Sequence, residues 1–226
     1  MRPRTMMIVL GVLFACAGCA TPRQSADEVN SGLLWFVPLD DAAGWALADP
    51  GAMRLERSPT VVLAWGPSAS DGPRVPTLIR SDREQWIAAI KSKLEGSGWV
   101  TRVEGSAPET FEGGVTVNGL RTLASARDAD LIVLFGRDVS ERRYHVSWPT
   151  RPVYVVDVIE IRTTARAVGV TSAGRPVFAE AQTGFEEGRT LFESEVREAS
   201  SRSAVNALAD AIVRRLKQIA PQQGAP

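Results

Sequence analysis

From Val155 the chain alternates with period two. Val155, Ile159, Ile161, Ala165 and Ala167 fall on one side, and Glu160, Arg162, Thr164 and Arg166 on the other. Only an extended strand places successive side chains on opposite faces, so this stretch is a strand with one buried and one wet face. Residues 153–170 are too rich in β-branched side chains for a helix. Residues 171–175 (TSAGR) supply a turn with a glycine to accept positive φ, and residues 177–183 return as the antiparallel partner. Asp157 and Thr163 interrupt the apolar side. A buried carboxylate at Asp157 would need an Arg or backbone partner.

Upstream of this hairpin the pattern is helix and strand in turn. Residues 60–65 (TVVLAW), 99–103 and 130–136 (DLIVLFG) have strand composition. Between the first two, Ser81 and Glu84 have the spacing of a capping box, followed by Trp86, Ile87, Ile90 and Leu94 on one helical face. Between the second and third, Asn118 is a candidate cap for a helix carrying Leu120, Leu123 and Ala124. Downstream, Val205, Leu208, Ile212, Leu216 and Ile219 form a stripe at spacings of three and four, a C-terminal amphipathic helix. The expected fold class is α/β (α+β): a mixed β-sheet from β-α-β-α-β, then a long antiparallel hairpin and a C-terminal helix.

The N-terminus assigns both cysteines. Arg2 and Arg4 precede an apolar run, residues 6–15, too short to span a bilayer as a mature helix. Ala17-Gly18-Cys19 then resembles the end of a bacterial lipoprotein signal, in which the cysteine becomes the acylated first residue. Cys19 is the favoured lipidation site and Cys16 the alternative. A redox pair would need a folded helix N-terminus beside it, and zinc would need two further ligands from a chain with one histidine. The expected division is a signal at 1–18, a lipidated cysteine and flexible tether at 19–32, one globular periplasmic domain at 33–220, and a disordered tail at 221–226. The same resemblance to lipoproteins implies the periplasmic face of the outer membrane, since Ala20 follows Cys19 where an Asp would favour retention at the inner membrane. Within the domain, Trp35, Phe36 and Trp45 are either satellite core or a partner-binding patch.

Lysines plus arginines and aspartates plus glutamates number 26 each, so no basic field points to nucleic acid. His145 is the single histidine, and neither G-x-S-x-G, H-E-x-x-H nor a P-loop occurs. We therefore expect no catalytic residues, no cofactor and no metal. Arg142, Arg143, Tyr144 and Trp148 have the composition of contact hot spots and are candidate partner contacts; a solvated hairpin tip would carry the same residues.

With residues 130–136 and 165–184 (ARAVGVTSAGRPVFAEAQTG), the layout resembles rhombotarget-type bacterial lipoproteins. These fall within a broader group resembling the N-terminal domain of the Tol–Pal periplasmic protein, the curli secretion lipoprotein and penicillin-binding-protein activator lipoproteins. The anchor at Cys19, a single histidine with no catalytic constellation around it, and the arginines and aromatics flanking the core lead us to expect a lipid-anchored, non-enzymatic envelope protein, a protein-binding or accessory module attached to the membrane through its N-terminal lipid. The alternatives are a cell-wall hydrolase using carboxylates such as Asp128 or Asp157, and a curli-type oligomeric secretion subunit.

Overall fold

The computed structural model describes residues 24–37, 45, 54–66, 80–107, 110–111, 114–147 and 155–220. Cys16, Cys19, Trp148 and the tail at 221–226 lie outside them. The described elements are α1 (Ala26–Leu33), β1 (Thr60–Trp65), α2 (Arg80–Glu95), β2 (Arg102–Gly105), α3 (Val117–Arg127), β3 (Leu131–Ser147), β4 (Val155–Thr171), β5 (Pro176–Arg189) and α4 (Glu193–Ile219). The strands form one mixed sheet in the order β2-β1-β3-β4-β5. The β1–β2 and β1–β3 pairs are parallel, and β3–β4–β5 is an antiparallel meander. The α/β class and the long hairpin expected from the alternation are both present.

Parity along the strands divides the core. Val61, Leu63 and Trp65 of β1 and Leu131, Val133 and Phe135 of β3 face α2 and α4, where Trp86, Ile90, Leu94, Leu208, Ile212 and Leu216 meet them. Val62, Ala64, Ile132 and Leu134 face the other way, toward Leu120 and Ala124 of α3 and the segment carrying Leu33, Phe36 and Val37. Phe36 and Trp45 are 3% and 6% exposed, so these two supply core rather than a patch, and Trp35 is half-buried beneath the Arg166 guanidinium.

Helix α4 lies against the other side of β4 and β5, and glycine makes that approach possible. A Cβ on Gly184 would stand 2.1 Å from the backbone oxygen of Ser200, and one on Gly188 would stand 2.4 Å from Val196 Cγ2. At this crossing Ser200 Oγ lies within hydrogen-bond reach of Thr163 Oγ1 (3.0 Å) and of the Gly184 carbonyl (3.1 Å), and it accepts from the Thr163 amide. Thr163, the polar interruption on the apolar face of β4, is fully buried and satisfied there.

Several boundaries differ from the sequence reading. The polar stretch expected as a tether through residue 32 is structured from Gln24 onward. Ser25 and Glu28 form a reciprocal capping box, with Ser25 N to Glu28 Oε2 at 2.7 Å, and α1 docks on β5 with Gly32 against Ala179. The cap of α3 is Thr116, whose hydroxyl accepts from Gly119 N at 3.0 Å; Asn118 lies inside the helix. Helix α2 already includes Arg80, so Ser81 falls within its first turn. The second strand is Arg102–Gly105, with Trp99 in the preceding bend. Helix α4 begins at Glu193, well before Val205; its first turns meet the sheet through Val196, Ser200 and the ion pairs of Glu193 and Arg197, with no long apolar stripe.

Candidate interaction surface

The largest departure from the expected layout creates the candidate site. Strand β3 does not stop at Gly136 but continues to Ser147, paired in antiparallel register with β4 from Leu131↔Thr171 to Ser147↔Val155. Together with β5 this makes a three-stranded arm extending past the parallel part of the sheet. The three candidate contact residues that are described, Arg142, Arg143 and Tyr144, therefore do not form one patch. Arg142 and Tyr144 pair with Glu160 and Val158 on the face opposite α4, while Arg143 pairs with Ile159 on the α4 side.

On the α4 side the charges are tied to the helix. Arg143 donates to Glu141 at 2.6 Å and to Glu193 at 2.9 Å, and Arg197 bridges the same two carboxylates at 2.8 and 2.9 Å. Hydrogen bonds from Arg143 and then Arg197 hold the Glu141 carboxyl below its ordinary range. A carboxyl with a depressed folded-state pKa adds stability above its unfolded value, near 4.3, and loses it as pH falls through the lower folded value. The destabilisation caused by Glu141→Gln is thus expected to be measurable in urea at neutral pH and to shrink toward zero in strong acid.

Asp157 also departs from expectation. It is not buried: its side chain is 57% exposed and meets His145 Nδ1 at 2.5 Å across the β3–β4 pair. Its partner is thus His145 rather than an arginine. Asp128 stands in the left-handed cap of α3 at φ 47°, at the opposite end of β3, so the two carboxylates raised for hydrolysis do not converge. Among the described residues no three His, Cys, Asp or Glu side chains gather to hold a metal, and no helix is long and apolar enough to cross a membrane.

A cleft of about 650 Å³ opens where α2 and α4 meet β3. Arg137 and Arg197 both line it, and the more deeply set of the two is Arg137, which the sequence reading did not single out. The guanidinium donates to Ser201 Oγ at 3.0 Å, faces Asp82 at 3.5 Å and lies 5.7 Å from the Trp86 ring. Burial lowers its pKa from the ordinary arginine value. Trp86 Nε1 donates to the same Ser201 hydroxyl at 3.0 Å. These groups satisfy one another and fasten the helices to the sheet.

The opposite face of the arm is different. It carries Arg142 and Tyr144 on β3, Val158, Glu160 and Arg162 on β4, and Thr183, Phe185 and Glu187 on β5. Helix α1 reaches this face near Ala179, and Trp35 reaches it at Arg166; beyond that no described helix packs on it. Arg142 sits 5.9 Å from the Tyr144 ring, and Arg162 5.8 Å from the Phe185 ring. Partial burial and a hydrogen bond to Glu187 push the Tyr144 phenol up, so it stays a neutral donor. Phe185 is 47% exposed. Stacked arginine–aromatic pairs on a rigid sheet lose little rotamer freedom when they make a contact.

No family model matches the chain, and no curated protein does either. Among solved structures it is similar to a minor lipoprotein from Acinetobacter baumannii at 14% identity and a TM-score of 0.36, over 71% of this chain and 95% of the other. It is similar to lipoprotein GNA1162 from Neisseria meningitidis at 13% identity and a TM-score of 0.33, over 71% and 99% of the two chains. It is also similar to hypothetical protein CT253 from Chlamydia trachomatis at 9% identity and a TM-score of 0.32, over 70% and 93%.

Proposed function

We propose that the chain is a lipid-anchored, non-enzymatic protein of the bacterial envelope that binds another envelope protein through the open face of its β3–β4–β5 arm. The anchor is Cys19 and the site of action the periplasmic face of the outer membrane. The observation that carries the binding reading is this arm face, on which no described helix packs beyond α1, with Arg142 over Tyr144 and Arg162 over the half-exposed Phe185 on a sheet braced from behind by α4. The apolar alternation of β4, which a pore strand would also show, is accounted for by the packing of Ile159 and Ile161 against Val196 of α4. Confinement to a surface raises the effective concentration of such a module near other anchored proteins, so a modest contact suffices.

The test has two arms. Palmitate label is expected to vanish with Cys19→Ser and persist with Cys16→Ser; label surviving both changes removes the anchor. Photo-cross-linking in cells from the open face tests the contact.

A further inference from the structure

We propose that two copies of this chain join antiparallel through the outer edges of their β5 strands, residues 181–189 of one against 189–181 of the other, with Phe185 on the twofold axis. This assembly is independent of the partner reading above. Strand β5 is the edge of the sheet. An unprotected edge presents unpaired N–H and C=O groups to solvent, and proteins usually block it with proline, a bulge or a covering element. Here one position is blocked. The Gln24 side-chain amide behaves like the peptide of a neighbouring strand: its Oε1 accepts from Ala179 N at 3.0 Å and its Nε2 donates to the Ala179 carbonyl.

That contact fixes which residues point outward. Ala179 turns its backbone away from β4, so Ala181, Thr183, Phe185 and Glu187 do the same, and the register with β4 is unbroken from Glu180 to Arg189. Among the described residues no group pairs with the outward amides and carbonyls of these four. The segment holds no proline; Pro176 lies before the Gln24 contact. Among the described residues the edge is thus unpaired from Ala181, just past that contact, to Arg189, where the strand ends.

The length and charges of this edge specify the occupant. A twofold pairing that uses all of it has Phe185 at its midpoint. In that register Thr183 opposes Glu187, Ala181 opposes Arg189 and Gly184 opposes Glu186, so no like charges meet. Sliding the centre to Glu186 or Glu187 sets a carboxylate against itself. Sliding it to Gly184 brings Arg189 onto the position Gln24 occupies. At the centre the two half-exposed Phe185 rings become cross-strand neighbours, each beside an Arg162 guanidinium, and every outward pair exchanges two main-chain hydrogen bonds. The two sheets then continue into one, and the open faces of both arms join on one side.

The test uses the full-length chain carrying Cys16→Ser and Cys19→Ser, which removes the native thiols. In sedimentation at about 100 µM, where even a weak interface is populated, we expect a dimer. Phe185→Asp, which sets two carboxylates face to face on the axis, should raise the dissociation constant roughly tenfold or more without changing near-UV circular dichroism. Phe185→Cys should form a disulfide-linked dimer on mild oxidation, since directly opposed strand residues lie within disulfide reach, while Thr164→Cys, one strand inward, should not. A monomer at that concentration, or a Phe185→Cys chain that does not cross-link, overturns the proposal.

Discussion

Gly184→Ala is expected to destabilise the protein by about 3 kcal/mol in urea unfolding, the upper part of the range for overpacking a tight contact. The added methyl would lie 2.1 Å from Ser200 O and 2.7 Å from Ala204 N, both backbone atoms of α4. Backbone cannot rotate away as a side-chain end can, so the helix must lift from the sheet. Lifting also strands Thr163, whose amide and hydroxyl rely on Ser200. Gly98→Ala makes a useful comparison: nothing lies near its added Cβ, and its cost comes only from a φ of 74°. The contrast between the two substitutions isolates the helix–sheet contact from ordinary glycine strain.

The second large effect concerns charge. Arg215 of α4 and Glu180 of β5 form an ion pair with both side chains 11% exposed. Arg215 also donates to Gln218 Oε1 at 2.9 Å. Arg215→Leu leaves a carboxylate in a site closed to water and is expected to cost about 3 kcal/mol or more. The double replacement Glu180→Leu with Arg215→Leu should recover most of that loss, because the charge that needed compensation is gone. Urea unfolding of the two single variants and the double variant measures the coupling directly.

The same pair of elements shows what the sequence made legible. Ile159, Ile161, Ala165 and Ala167 alternate with charged or hydroxyl residues because α4 buries one face of β4 and leaves the other wet, and a period-two pattern reports that difference. Residues 137–147 (RDVSERRYHVS) belong to an equally long strand yet show no such alternation. Their α4-facing positions include Arg137, Glu141 and Arg143, which meet the helix through ion pairs and hydrogen bonds, and Arg142 and Tyr144 on the other side are open. With polar residues on both faces the strand carries no hydrophobic period. The first turns of α4 were hidden for a related reason: Val196, Ser200 and Ala204 contact the sheet where β5 offers glycine, so small residues stand where a helical stripe would hold large ones.

The N-terminal helix was legible in principle. Ser25 and Glu28 have the capping-box spacing, but the surrounding polar, small residues carry little apolar stripe. Its stability comes from Val29 and Leu33 buried in the fold and from Gln24 on the β5 edge, neither of which local pattern reveals. The candidate surface was half legible. Arg142 and Tyr144 stand on the open face as contact residues should, Arg143 belongs to the bracing network behind it, and Arg162 and Phe185 were not singled out because they lie apart in sequence and meet only through the β4–β5 register.

The proposed contact face is tested most directly by photo-cross-linking in intact cells. A photoreactive residue is placed in turn at Arg142, Arg162 and Arg202, the last exposed on α4. The account predicts one discrete adduct with a single envelope protein from positions 142 and 162, none from 202, and loss of the 162 adduct when Arg142 and Tyr144 are changed to alanine. Equal adducts from all three positions, or none beyond the chain itself together with turnover of isolated cell wall that disappears in Asp157→Asn, would contradict it.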